Sequence, residues 1–318
     1  MLLPAAYCLK AQFPDIQVHF LSNSSNAASD IMRHSPYIDK IIDFKFKGNE
    51  FTLNEYFLFF LIRYIPLLLK IKKEKYHYVF SINPNFLIKA ILCFFSKKNK
   101  IIRANRFINQ IENGMKLLEK VGNAKKVILQ NTDLLIFENE DKVLEKYSLR
   151  KGEYILFSFY CTTSKRSFLN YHNIIATLKE KSMGVHTFVL IGKTGSHTPN
   201  LDCLDLINKT TIQEVAILIK NAKLLVAVDG GLMHIGMIQN VPIIAIFSTI
   251  HSQYRCPINK SYVYFKAIDK KREGGEATDS LNPRVFKNNY ESDDLNLSSA
   301  IIEETLVYLN YKSNCSIV

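Results

Sequence analysis

Residues 224–249 read LLVAVDGGLMHIGMIQNVPIIAIFST, and this stretch decides the fold. An apolar run of strand type, Leu224 to Val228, ends in Asp229-Gly230-Gly231; His234 follows, and the chain returns through Val241-Pro242 to a second apolar run, Ile243 to Phe247. Two buried strands with a helix near 231–239 between them account for the outer parts, because short unbroken apolar runs suit strands covered on both faces. They leave Asp229, Gly230, Gly231 and His234 to be explained. An ordinary strand-to-helix turn would use Asp229 as an N-cap and turn His234 toward the core. A ligand-binding turn would use the glycines to bring backbone N–H groups close to a guest at the helix N-terminus, where phosphate is favoured.

Working outward, the same theme recurs on both sides. Strands are expected at Tyr154 to Phe159 and His186 to Ile191, with helices near 168–182 and 211–221. The first half offers strands at Ile16 to Leu21, Ile41 to Phe44, Tyr78 to Ile82 and Lys100 to Arg103, with helices near 24–33, 53–73, 85–96 and 105–120. Alternation of this kind builds parallel sheets covered by helices, here in two α/β units. Val121 to Gly152 is charged, rich in Asn and weakly periodic, so the junction is expected near residue 150, giving domains 1–150 and 151–318. Residues 266–292 read as a loop, and a last helix is expected from Asp293 to Tyr311.

The chain of 318 residues carries 41 Lys and Arg against 29 Asp and Glu, a net charge of +12. That balance favours an anionic partner such as a nucleotide, a phosphorylated glycan or a bilayer surface. Zinc-finger spacing, aromatic RNP patterns and basic-zipper heptads are all missing from the sequence, so nucleic acid is not an expected partner. The six cysteines form no C-x-x-C pair and show no metal-ligand spacing, which suits a reduced cytosolic protein. No leader pattern opens the chain, so secretion is not expected. The most hydrophobic window, FLFFLIRYIPLLL at 57–69, is too short to span a bilayer and contains Arg63 and Pro66. It reads either as a core helix or as an interfacial helix whose basic tail, Lys70, Lys72, Lys73 and Lys75, rests on an anionic leaflet.

A second loop sharpens the ligand-binding reading of Asp229. After YILFSF comes YCTTSKRSF, residues 160–168, where Thr162, Thr163 and Ser164 precede Lys165 and Arg166 at the start of a helix. Hydroxyls, backbone N–H groups and two cations there suit a diphosphate, and a solvated basic turn is the plainer account.

Together these residues resemble glycosyltransferase family 9, the ADP-heptose:lipopolysaccharide heptosyltransferases. AVDGGLMHIGMIQNVPIIAIFST is similar to the family's strand, (N/S)D(S/T)G-x-x-H turn, helix and second strand, and TTSKRSF at 162–168 to its hydroxyl-rich segment leading to a Lys. LIGKTG at 190–195 sits where the family has a Gly-rich turn. In the first half, LLPAAYCLKAQFPDIQVHFLSN, SPYIDKIIDF and KKEKYHYVFSI resemble the family's opening helix and following strands, in the family's order.

The resemblance implies a GT-B architecture, two facing Rossmann-like domains, with the first strand of the N-terminal domain missing from this chain. It implies donor-site roles for Thr162, Thr163, Lys165, Arg166, Gly192, Asp229, Gly230, Gly231, Leu232 and His234. Lys165 would contact the donor phosphates, and Asp229 would be the donor-site carboxylate. The implied partners are an ADP-sugar donor and a lipopolysaccharide core acceptor, met in the cytoplasm or peripherally on the inner membrane; no metal or other cofactor is expected. The sequence departs from the family's pattern where Gly230 replaces Ser or Thr, Ser167-Phe168 replaces Trp-Pro, and Ser248 replaces Gly. The family's opening strand, Gly-rich turn and basic Asp are not recognised, because Met1-Leu-Leu-Pro4 aligns inside the helix that follows them, so the catalytic base is not assigned. An inactive nucleotide-sugar-binding relative, and a transferase using another nucleotide sugar, are the alternatives.

Overall fold

The computed structural model describes residues 2–23, 27–44, 65–81, 100–103, 109–119, 121, 133–161, 167–169, 171–182, 184–195, 203–248, 252–256, 262–269 and 295–315. The chain divides into two units, Met1–Leu135 and Ile136–Val318. The first unit runs α1 (Leu3–Gln12), β1 (His19–Asn23), α2 (Ala28–Met32), β2 (Lys40–Phe44), α3 (Ile65–Lys73), β3 (Tyr78–Ser81), β4 (Lys100–Arg103) and α4 (Gln110–Leu118). The second runs α5 (Glu140–Lys146), β5 (Tyr154–Ser158), α6 (Tyr171–Lys181), β6 (Thr187–Leu190), β7 (Leu204–Asp205), α7 (Ile212–Lys220), β8 (Leu224–Val228), α8 (Gly231–Ile238), β9 (Ile243–Phe247), β10 (Phe265–Asp269) and α9 (Leu295–Cys315).

In the first unit β1 pairs in parallel with β2, and β3 with β4. Pro4 sits in the first turn of α1, where its missing N–H costs nothing. The buried face of α1, Ala5, Cys8 and Leu9, meets Met115 and Leu118 of α4 and Val121 beyond it. Three of the four expected strands differ from the observed ones only at their ends, and Lys100–Arg103 coincides. The expected helix at 85–96 lies outside the described residues, as does most of the one expected at 53–73.

The second unit is built on one six-stranded sheet in the order β10-β9-β8-β5-β6-β7, parallel throughout. Counted from β5 as the first strand, that order is 3-2-1-4-5-6, the doubly wound Rossmann arrangement. Strands β5, β8 and β9 are buried along their whole length, which is why their sequences are unbroken apolar runs. Phe157, Phe159, Phe168 and Tyr171 pack ring against ring between the sheet and α6. Helix α8 lies so close to the sheet that a Cβ on Gly236 would fall 2.7 Å from Leu225 Cδ2 and 3.0 Å from Ile243 Cδ1.

One feature departs from the sequence expectation and another adds to it. The loop expected from residue 266 begins inside β10, an edge strand paired with β9 through Phe265–Asp269. The stretch before residue 150 carries Leu135, Phe137 and Leu144 as buried residues. Helix α5 in that stretch is held to α7, since Lys220 Nζ meets Glu140 Oε1 at 2.9 Å and Lys146 Nζ meets Glu214 Oε1 at 2.5 Å.

Candidate functional site

Parallel doubly wound sheets offer a crevice where the strand order reverses, beyond the carboxyl ends of the two central strands. Here those strands are β5 and β8, paired from Ile155↔Leu224 to Ser158↔Ala227. The chain leaving β8 is the Asp229 turn, and the chain leaving β5 is the segment that leads to Thr162. Both are the segments whose composition points to a ligand, and the sheet brings their stems side by side.

Asp229 is buried, with 2% of its surface exposed, and its backbone N–H donates to Ile246 O at 2.9 Å, extending the β8–β9 ladder by one residue. It does not cap α8. The N-cap is Gly230, in extended conformation at φ −165 and ψ −176, with no side-chain cap. Asp229 Oδ1 lies instead 3.8 Å from Nε2 of His234, one helical turn away. Gly231, Leu232 and His234 all belong to the first turn or so of α8, and Gly231 is exposed. Among the described residues, a Cβ on Gly231 would meet nothing within 4 Å, whereas one on Gly230 would lie 3.5 Å from Cys161 Sγ, an ordinary contact. The Ser or Thr expected at position 230 from the family pattern would therefore fit without displacing its neighbours.

The β5 side is pinned at both of its described ends. Cys161 N donates to Ser167 Oγ at 3.0 Å, and Phe168 N donates to Phe159 O at 2.8 Å. Cys161 Sγ lies 3.8 Å from Asp229 O, so this stem touches the Asp229 turn directly. Thr162, Thr163, Lys165 and Arg166 lie outside the described residues. Gly192, beyond β6, has φ 147, a conformation that disfavours side chains; a Cβ there would stand 3.3 Å from both Tyr160 Cβ and Ile207 Cδ1. Tyr160 in turn shares a 3.0 Å hydroxyl contact with Tyr171, whose own hydroxyl burial and this bond push well above its ordinary pKa.

Sequence reading missed the β9–β10 side of the site. Asp269, the last residue of β10, accepts from Ser252 N at 2.9 Å and from Ser252 Oγ at 2.6 Å. Ser252 O then accepts from Arg255 N and Cys256 N, both at 2.8 Å, closing a tight turn. In register, Asp269 is opposite Phe247 and Val228 is opposite Ile246, so Asp229 and Asp269 flank β9 at the same level. Burial, and then the carboxylates of Asp269 and Asp229, push the Cys256 thiol up to about 12 against an opposing hydrogen bond with Ser252. That thiol stays protonated at neutral pH and is no nucleophile. The usable signal was an apolar run ending in Asp, FKAID, repeating the pattern that ends at Asp229.

A buried carboxylate beside an imidazole, a helix start with exposed Gly231, and a pinned loop stem form a site suited to a polar, anionic guest. It can hold hydroxyls at Asp229 and phosphate oxygens at backbone N–H groups.

Residues 90–283 match the model of glycosyltransferase family 9 (heptosyltransferase). Lipooligosaccharide heptosyltransferase 2 of Haemophilus influenzae is 34% identical over 67 residues, which are 21% of this chain and 19% of that relative. The alignable stretch is thus about a fifth of the length of that curated relative. Among solved structures, the glycosyl transferase family 9 protein of Veillonella parvula superposes with TM-score 0.64 at 15% identity, over 85% of this chain and 81% of that one. The E. coli ADP-heptose lps heptosyltransferase II gives TM-score 0.64 at 15% identity, over 98% and 96% of the two chains. An E. coli heptosyltransferase with ADP-2-deoxy-2-fluoro heptose gives 0.60 at 15%, over 95% and 94%. At these identities the likeness is one of fold, and it agrees with the GT-B class of α/β protein expected from the sequence.

Proposed function

Because the chain belongs to glycosyltransferase family 9, the heptosyltransferase family, we propose that it moves heptose, or a related sugar, from an ADP-sugar to the core of a lipopolysaccharide or lipooligosaccharide. The observation that carries this reading is the buried Asp229 at the switch point of a doubly wound sheet, in contact with Cys161, from which the chain leads on to Lys165. The similar proteins bear names that include lipooligosaccharide heptosyltransferase and ADP-heptose, which makes these the first donor and acceptor to try. The second unit, Ile136–Val318, would form the donor domain and the first, Met1–Leu135, the acceptor domain, working in the cytoplasm and peripherally on the inner membrane.

In this reading Asp229 orients a donor hydroxyl, with His234 behind it. The backbone around Gly230, Gly231 and Leu232 meets the diphosphate, and Gly192 lets the neighbouring turn approach the nucleotide. Negative charge grows on the departing ADP as the glycosidic bond breaks, and Lys165, Arg166 and the α8 N-terminus stabilise it, with Thr162 and Thr163 as hydroxyl donors. This chemistry runs on side chains and helix ends alone.

The test is transfer of labelled sugar from ADP-heptose to a truncated core acceptor, beside calorimetry with ADP. Turnover with ADP-heptose is expected, and Lys165→Ala is expected to weaken ADP binding. Binding without turnover of any donor would make the chain an inactive relative; preference for a UDP- or GDP-sugar would replace the donor.

A further inference from the structure

Along α3 the described exposed residues include Ile65, Pro66, Leu69, Lys72 and Lys73, spaced by about one and two helical turns and so aligned on one face. Ile65 is 37% exposed and Leu69 58%, so this face of α3 is turned away from the core. The basic end continues into exposed Lys75, whose φ of 51 ends the helix in a left-handed turn. That end is held to the first unit, because Lys40 Nζ meets Glu74 Oε1 at 2.5 Å and His19 Nδ1 lies 2.6 Å from the Tyr76 hydroxyl. The result is an anchored helix with an apolar patch at its start and a cationic patch at its end, both on the outward face.

We propose that this face docks on an anionic lipid bilayer, with Ile65, Pro66 and Leu69 entering the headgroup layer and Lys72, Lys73 and Lys75 meeting lipid phosphates. The inference deepens the function proposed above and rests on it, since an acceptor carried by lipid is met at a membrane surface. Charge selects an anionic partner, and the small apolar patch selects lipid over an acidic protein. The carboxylate within the cluster, Glu74, is taken up by Lys40, and the whole chain carries +12. Three apolar side chains are too few for a standard protein interface of roughly 800 Å² per partner. Added to a basic cluster they suffice for reversible adsorption, each lysine strengthening it about fivefold. Among the described residues no helix is long and apolar enough to cross a membrane, so α3 would lie in the plane of the surface. The stripe also precedes residue 90, where the family match begins, and is not supplied by that match.

The test is co-sedimentation of the full chain with vesicles of phosphatidylcholine, with and without phosphatidylglycerol. Binding is expected only to the anionic vesicles and should weaken with salt. Lys72→Glu with Lys73→Glu should lower it on the order of tenfold or more, and Leu69→Ser should lower it at unchanged charge, with ADP affinity and melting point retained in both. Equal binding to neutral vesicles, or anionic binding that neither variant alters, would overturn the docking face. Concentration-dependent dimerisation abolished by Leu69→Ser would overturn it in favour of a second copy of the chain. A wild-type chain that binds vesicles but no ADP would sink the donor-site reading and leave this face standing; one that binds ADP but no vesicles does the reverse.

Discussion

Asp229 Oδ1 and His234 Nε2 stand 3.8 Å apart, the carboxylate ending a buried strand and the imidazole one turn into the helix that follows. The pair is functionally coupled if both groups act on one donor, and the two substitutions then combine non-additively. Asp229→Asn should cost about 10- to 100-fold in donor affinity, the range of a lost hydrogen bond to a charged group. His234→Gln should cost less, and the double variant should be little worse than Asp229→Asn alone. A double-mutant cycle by ADP-heptose titration reads this directly; strict additivity would separate the two residues.

Gly231 separates stability from binding. Among the described residues its Cβ position is open, with no atom within 4 Å, and it lies in the first turn of α8. Alanine should therefore leave the fold unchanged or stabilise it by up to about 1 kcal/mol. If the diphosphate approaches that backbone, the same methyl group blocks it. Gly231→Ala should raise or hold the melting temperature while weakening ADP binding, and undiminished binding would move the ligand away from this turn.

Much of this was legible because buried parallel strands are written as unbroken apolar runs: β5, β8 and β9 could be read off LLVAV and its counterparts, and the loops at their ends followed. β7 is two residues long and has no period to detect. β10 was lost because it is only partly buried at the sheet edge and includes Lys266, so its apolar signal is diluted. Asp229 and His234 were both marked by the sequence, but their approach was not, because it depends on how the first turn of α8 is set against the end of β8. Nor was the Asp269–Ser252 clamp, because it joins two loops through a strand that local sequence did not reveal.

Glu214 ties α7 to its own N-cap and to α5. Its carboxylate accepts from Thr211 N at 2.7 Å, Thr211 Oγ1 at 3.0 Å and Lys146 Nζ at 2.5 Å. Burial alone would raise its pKa, but these bonds hold it down to about 2 from 4.5. A depressed carboxylate stabilises the fold fully above the unfolded value and loses that effect as pH falls through the folded one. Glu214→Gln should therefore melt below wild type at pH 7, with the gap closing between about pH 4.5 and about pH 2. Lys146→Met should show a smaller deficit, because the Lys146 side chain is 55% exposed and solvent screens the pair. Melting curves across that pH range check both, and a gap independent of pH would assign the effect to packing.

Asp269 clamps the turn that follows β9, level with Asp229 on the other side of that strand. Its two oxygens take Ser252 N at 2.9 Å and Ser252 Oγ at 2.6 Å, and Ser252 O closes the turn to Cys256. The turn sits one strand over from Asp229, so loosening it should disorder the donor pocket more than the fold. Asp269→Ala removes both acceptors from a nearly buried Ser252, a loss worth about 1–3 kcal/mol at the turn. Asp269→Asn can still accept from Ser252 N and can donate to Ser252 Oγ. Asp269→Ala should raise the KM for the sugar donor several-fold with a smaller change in kcat, and Asp269→Asn should recover most of it. A positioning role requires that split and that rescue; an equal fall in both variants, tracking the melting temperature, would make the clamp a matter of stability alone.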